Sequence, residues 1–408
     1  MKISEDQIRR VIESEIKPGA FTGKSILVLT PDATRTCPLP LMVRLLNEAF
    51  SKTCSRLDFM VALGTHMPLE EGQILDLYGI DNTDRKFRFS KSVLMNHRWD
   101  LADTLVEIGV IEKEEISRLS GSKMSEAVPV VINRKIFEYD LILILGPVFP
   151  HEVVGFSGGA KYMFPGISGG DFLHFFHWLG AVLTCKKIIG EKSTPVRQVI
   201  ERALRFMKVP VLNLSMVVGK DGELHGLFGG DIGESWSRAA DLSAQMHIEY
   251  RKGQYQTVLG CAPEMYDEIW TAGKVMYKLE QMVERGGDLI IYGPHIAEIS
   301  KVWGREITEI GYHVRDYFLM QMEKFRHIPR GILAHSTHVK GDGVIENGRE
   351  VPNVNVILAT SISKEVCGKV NLGYMDYRQI KLDDYKEKEN EGILFVEKAG
   401  ETLYKLRT

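Results

Sequence analysis

Disulfide logic is missing from this chain. Its five cysteines (Cys37, Cys54, Cys185, Cys261 and Cys367) are scattered over 408 residues, with no CxxC pair. An odd, dispersed set in so long a chain points to buried, reduced thiols rather than a disulfide framework. Long apolar runs are also lacking. None approaches the roughly 18–20 residues needed to span a bilayer, and LILILGPVF at 141–149 reads as a buried strand and turn. The opening MKISEDQIRRVIESEI is charged and amphipathic, without the apolar core of a secretion signal. Nor is there a basic excess: 51 Lys and Arg against 54 Asp and Glu leave a formal charge of −3, so nucleic acid is not an expected partner. Repeats and low-complexity tracts are absent. These absences predict a soluble, cytoplasmic protein with neither membrane nor nucleic acid as partner.

What is present suits a folded protein. The apolar fraction of 44% and charged fraction of 26% match globular domains and argue against wholesale disorder. The length allows two or three domains. Short apolar runs alternate with helical patterns, which predicts an α/β fold. Strands are expected at SILVLT (25–30), RLDFMVALG (56–64), VPVVINR (128–134) and YDLILILG (139–146), and helices over 39–52, 101–109 and 194–208. Near residue 250 the polar HIEYRKGQYQ gives way to a fresh strand and turn, QTVLGCAP. A helix over DEIWTAGKVMYKLEQMVERGG and strands at DLIIYG and VNVILATS follow. We therefore expect two α/β domains with an active-site cleft between them. Residues 1–250 form a cofactor-binding, catalytic domain and 256–389 a Rossmann-like domain. The tail 390–408 is expected to pair as a hairpin around Ala399-Gly400 and return to the first domain.

Chemistry concentrates in GPVFPHEVVGFSGGAKYMFPGISGGDFLHFFHWLGA, residues 146–181. The stretch leaves the most apolar strand at its carboxyl end, where open α/β sheets place ligands. Six glycines within sixteen positions allow positive φ and close backbone approach, which turns N–H groups toward an anion. Lys161 stands directly after Ser157-Gly158-Gly159-Ala160 and adds a cation. A tight connection needing flexible glycines would give the same stretch. It is not a Walker A loop, because Ala160 precedes the lysine and Tyr162 follows it, and it is not GxGxxG. Asp171 is a candidate N-cap for the next helix, on which His174 and His177 share a face. An HxxH pair by itself fixes neither metal nor role. His151 follows the strand behind two prolines.

Three further places look site-like. Asp32, Thr34 and Arg35 follow SILVLT and suit a phosphate or carboxylate, as well as a plain capped turn. Gly64-Thr65-His66 ends the second strand, with Met67 next, and Asn96-His97 precedes the expected helix at 101. Trp270 and Lys274 lie i,i+4 on a helix of the second unit, with Thr271 between them. A helical lysine is most often a solvated charge; the alternative is a hand for a substrate carboxylate.

At these residues the chain resembles the lactate racemase family, the nickel-pincer-nucleotide enzymes, over nearly its whole length. DATR at 32–35, GTH at 64–66, NH at 96–97 and PHEVVGFSGGAK at 150–161 look like that family's landmarks. The intervals from His151 to Lys161 (161 − 151 = 10) and from Lys161 to His177 (177 − 161 = 16) match its His…Lys…His pattern, which selects His177 over His174. The resemblance implies a pyridinium mononucleotide with two sulfur-bearing arms clamping nickel, possible tethering of one arm to Lys161, and His177 as a metal ligand. It further implies Asp32, Thr34, Arg35, Ser157, Gly158 and Gly159 around the nucleotide. His97 and His151 would be paired general bases for reversible hydride transfer at a 2-hydroxy acid, with Lys274, Thr271, Trp270, Met67 and His66 near the substrate. Proteins that build the cofactor would be transient partners. Two departures stand out: lactate racemases usually carry Arg where Met67 stands and Gln where Thr271 stands. Both fall in the implied substrate pocket, so a racemase or epimerase of a 2-hydroxy acid other than lactate is expected. A zinc-dependent hydrolase or lyase is the rival enzyme, although no HExxH or Cys-rich ligand set is visible. A non-catalytic nucleotide-binding or sensor protein is the rival of another class.

Overall fold

The structure is a computed structural model that describes residues 2–407. The chain folds as two compact units. The first comprises residues up to Phe149, Phe156–Leu173 and Lys192–Met246; the second comprises Pro150–Gly155, His174–Glu191 and the chain from His247 onward. Two short segments that precede residue 250 therefore group with the second unit.

The first unit is built on β1 (Ser25–Thr30), α1 (Leu39–Phe50), β2 (Arg56–Val61), β3 (Leu94–Asn96), β4 (Leu141–Pro147), β5 (Val211–Val218) and β6 (Leu224–Gly230). The sheet order is β6-β5-β4-β1-β2-β3. Every neighbouring pair is parallel except β5 and β6. Central β4 is buried at all seven positions, as its unbroken aliphatic run requires for a strand covered on both faces. Each of its Leu and Ile side chains gains about 1.5–3 kcal/mol from that burial. Strand order reverses between β1 and β4, and their carboxyl ends flank the crevice in which open α/β sheets hold ligands.

The stretch 101–109, expected as a helix, is a correction. Leu105–Ile111 is a strand paired antiparallel with Val128–Asn133, outside the main sheet. Its apolar residues fit either period, and the partner strand decides. VPVVINR is thus a strand, but of this ribbon.

Helix α2 (Gly170–Leu183) belongs to the first unit as far as Leu173 and to the second from His174. Asp171 lies in its first turn rather than capping it. Helix α3 (Pro195–Leu204) returns to the first unit, capped by Thr194, whose hydroxyl accepts from the Arg197 N–H.

In the second unit, β7 (Tyr255–Cys261), α4 (Ile269–Leu279), β8 (Val283–Gly293), α5 (Arg330–Lys340), β9 (Val354–Thr360), β10 (Gly373–Tyr374) and β11 (Ile393–Val396) form a five-stranded parallel sheet and its helices, in strand order β10-β9-β8-β7-β11. Helix α4 ends at Leu279, and VERGG, expected in that helix, opens β8. The expected tail hairpin does not form. β11 pairs with β7, and Leu403–Leu406 pairs in parallel with Ile248–Arg251, so the tail stays with the second unit. Among the described residues, no helix is long and apolar enough to cross a membrane.

Candidate active site

Parallel strands deliver their following loops to one sheet edge, so the loops after β1, β2, β3 and β4 share a rim. After β1, the chain turns on Asp32, whose carboxylate accepts from the Thr34 N–H at 3.1 Å and the Thr34 hydroxyl at 2.5 Å. The other oxygen meets His66 Nδ1, from the loop after β2, at 2.5 Å. Burial alone would raise the Asp32 carboxyl, yet His66, Thr34 and the charge of Arg35 hold it below the ordinary range. His66 and Met67 are exposed at the rim. Arg35 is half-buried.

After β4, the chain passes through Ser157 into a single 3-10 turn, Gly159–Tyr162, with Lys161 on it. Gly158 and Gly159 have φ of 79° and 57°, a region closed to most side chains. A Cβ on Gly159 would also lie 2.9 Å from the Trp236 ring. Trp236 Nε1 donates to the Ser157 carbonyl at 2.8 Å. Arg197 lies 4.0 Å over the Trp236 ring and donates to the carbonyls of Gly158 and Phe156. The turn is thus held from beneath, while the N–H groups of Gly159 and Ala160, first in the turn, have no carbonyl inside it. The Tyr162 ring covers Gly146, where a Cβ would sit 2.2 Å from it. Burial, then the nearby Cys37, acts on the Tyr162 phenol, with Arg35 and Asp32 also within electrostatic reach, and the hydroxyl titrates well above its usual range. Asp32, Arg35 and the Gly158–Lys161 turn are therefore neighbours across the switch point.

His97, immediately after β3, is fully buried. Its Nε2–H donates to the Ser168 carbonyl and its Nδ1 accepts from the Asn133 amide, both at 3.0 Å. The Asn133 carbonyl oxygen accepts from the Lys135 N–H at 3.0 Å, which fixes the amide orientation. Burial pushes His97 down to about 4, so the ring is neutral at physiological pH. The Ser168 loop is shared: Gly64 N–H donates to the Gly166 carbonyl and Asn133 N–H to that of Ile167.

The second unit gathers a different set. His151 Nδ1 accepts from the Val153 N–H at 3.1 Å and lies 3.5 Å from Glu152 Oε2. Lys278, on α4, donates to the Pro150 carbonyl at 2.6 Å and so fastens the same short segment. Burial opposes ionisation of Glu152, but His151, its own backbone N–H and Lys278 keep it a carboxylate. Trp270 stacks on His335 of α5 with ring centres 4.0 Å apart, and Tyr277 bonds His335 Nδ1 at 3.1 Å. Burial, then His338, pushes His335 down to about 3; Glu152 and His177 are its other electrostatic neighbours. Burial likewise lowers His338 to about 4. His177 packs edge-on against Phe176 at 4.6 Å, and His174 Nδ1 abuts Gly331. Thr271 spends its hydroxyl on the Glu268 carbonyl at 3.0 Å, and Lys274 lies 4.8 Å over the Tyr266 ring.

Residues 2–187 match the lactate racemase N-terminal domain family. The lactate racemase of Lactiplantibacillus plantarum is 24% identical over 213 residues, covering 51% of this chain and 45% of that protein. The lactate racemase of Thermoanaerobacterium thermosaccharolyticum is 27% identical over 172 residues, covering 40% and 36%. The N-terminal domain of this chain belongs to the lactate racemase family. The matched stretches span less than half the length of these two curated relatives. The fold extends further. A crystal structure of a Thermotoga maritima protein aligns over 100% of this chain and 99% of its own, with a TM-score of 0.88 and 30% identity. The lactate racemase apoprotein of Thermoanaerobacterium thermosaccharolyticum aligns over 100% and 94%, with a TM-score of 0.75 at 18% identity, a likeness of fold.

The sequence-derived residues fall into two sets. Asp32, Thr34, Arg35, His66, Met67, His97, Ser157, Gly158, Gly159 and Lys161 lie in the first unit, whereas His151, His177, Trp270, Thr271 and Lys274 lie in the second. Sequence reasoning missed Asn133, Ser168, Arg197 and Trp236, whose side chains or carbonyls hold the first set. It also missed Glu152, His335 and His338. The i,i+3 pair in HSTH at 335–338 was the one signal available, identical in spacing to His174 and His177.

Proposed function

We propose that this chain is a racemase or epimerase of a 2-hydroxy carboxylic acid, working by reversible hydride transfer with a nickel-pincer nucleotide. The observation that carries the reading is the cradle at the switch point, tested against what such a group demands. A nucleotide needs oriented N–H donors and a cation for its phosphate. The Gly158–Lys161 turn and Arg35 offer both. A metal already clamped by its own ligand asks for one further donor, and an imidazole, the side chain His177 offers, suits nickel. Among the described residues, no group of three or more His, Cys, Asp or Glu is placed to hold a metal unaided. The residues present fit the group.

When bound, the nucleotide supplies a reversible acceptor for hydride from the substrate's C2. The chain's task is then proton handling and orientation. His97 and His151 are assigned as bases that remove and return the hydroxyl proton, one for each stereoisomer. Interconverting mirror-related substrates requires a base for each orientation, and His97 is held neutral, hence able to accept a proton, by its burial. Asn133 and Ser168 keep that ring in one tautomer until substrate arrives. Lys274 is assigned to the substrate carboxylate. Lactate is not the substrate we favour: Met67 is 72% exposed at the rim and brings no charge, and Thr271 is committed to its own helix.

The test is a screen of chiral 2-hydroxy acids with cofactor-loaded enzyme, following the fate of the C2 hydrogen in D₂O. Interconversion with that hydrogen retained is expected. Rapid deuterium uptake at C2 would replace hydride transfer with a carbanion route. The pincer complex also absorbs visible light, whereas a zinc enzyme or a plain nucleotide binder does not.

A further inference from the structure

We propose that Glu152 is a positioning residue that selects which nitrogen of His151 carries the proton. The two neighbours of His151 Nδ1 make opposite demands. The Val153 N–H, at 3.1 Å, requires a lone pair on Nδ1 and so favours the tautomer protonated at Nε2. The Glu152 carboxylate, 3.5 Å away, repels that lone pair and would accept a hydrogen from a protonated Nδ1. With the proton on Nδ1, the lone pair sits on Nε2, and the ring can work as a base from that side.

Three features of the second unit keep Glu152 ready for this part. Its carboxylate is ionised beside His151 and Lys278, even though burial disfavours the charge. Lys278 anchors the Pro150 carbonyl, which limits movement of the segment carrying both residues. His335 and His338 beyond it are neutral at physiological pH, so neither removes the negative charge by donating a proton. The arrangement follows the general pattern in which a carboxylate orients an imidazole and stabilises the cation formed when it takes a proton. At His97 a carbonyl and an amide, not a carboxylate, set the tautomer.

This inference rests on the reading of His151 as a base, but its test needs no substrate. The full chain, labelled with ¹⁵N-histidine, would be studied by long-range proton–nitrogen correlation at a pH where His151 is neutral. Its signals would be assigned by their loss in His151→Gln. In the wild type we expect a populated Nδ1–H form. Glu152→Gln should lower the ratio of Nδ1–H to Nε2–H by about tenfold, the factor commanded by one charge-assisted hydrogen bond. Glu152→Asp should restore part of it. A wild-type ring found only as Nε2–H, or a ratio unchanged in a folded Glu152→Gln protein, overturns the proposal. Failure of the base assignment would look different: His151→Ala would retain interconversion whatever the tautomer measurement gives.

Discussion

The burial of His97 has a thermodynamic consequence that can be separated from its chemistry. In the unfolded chain an imidazole titrates near 6.5; in the native structure His97 titrates at about 4. Between those limits the unfolded state binds more protons, so native stability falls as the pH drops. The contribution is fully present above about 6.5 and exhausted near 4. At roughly 1.4 kcal/mol per tenfold change, that interval corresponds to about 3 kcal/mol, a large share of a domain's usual stability. His97→Gln tests this directly. The Gln amide can donate to the Ser168 carbonyl and accept from the Asn133 amide, preserving both contacts, but it cannot be protonated. At pH 7 the variant should lie within about 1 kcal/mol of the wild type. Its stability should then decline less steeply toward pH 4, by about 3 kcal/mol in total. Hydrogen exchange of peptides covering 94–104 and 128–135 reports opening of the first unit, without assuming one transition for the whole chain. Parallel stability–pH curves for the two proteins would refute the burial argument.

Other outcomes follow from the same geometry. His151→Ala, with cofactor attached, should reduce interconversion by about 10²–10⁴-fold, measured by chiral chromatography; full activity would remove His151 from the mechanism. Gly159→Ala combines a φ of 57° with a Cβ 2.9 Å from Trp236. It should cost about 2–4 kcal/mol and weaken nucleotide retention, read by hydrogen exchange and by the visible absorption of the loaded protein. Lys278→Met strips the Pro150 carbonyl of its ammonium partner. It should destabilise the second unit by about 1.5–3 kcal/mol, seen as faster exchange in peptides spanning 150–155.

The strands that carry the site were legible wherever one period dominated. SILVLT and LILIL are continuous β-branched or leucine runs too short for a buried helix, and both became parallel strands. The stretch from Leu101 is ambiguous because Leu101, Leu105 and Ile108 fall at helical spacing while Val106, Ile108 and Val110 alternate with Glu107 and Gly109 equally well. Only pairing with Val128–Asn133 resolves it. Motifs at strand ends, from Asp32 to Lys161, could be named in advance because a parallel sheet sends all its carboxyl ends to one edge. Their supports could not: Arg197 and Trp236 come from helices far along the chain and meet the glycine turn only through packing.

The sequence by itself determined the α/β class, the place of the glycine-rich turn at a strand's carboxyl end and the identity of its lysine, since these depend on local periodicity and residue order. The tertiary structure alone decided which protons the histidines hold. His97 is neutral because folding strips it of water, and His151 stands between an amide N–H and a carboxylate because a short segment bends back on itself. Ionisation and tautomer answer to solvent exclusion and to neighbours within a few ångströms, and neither is written in the order of residues.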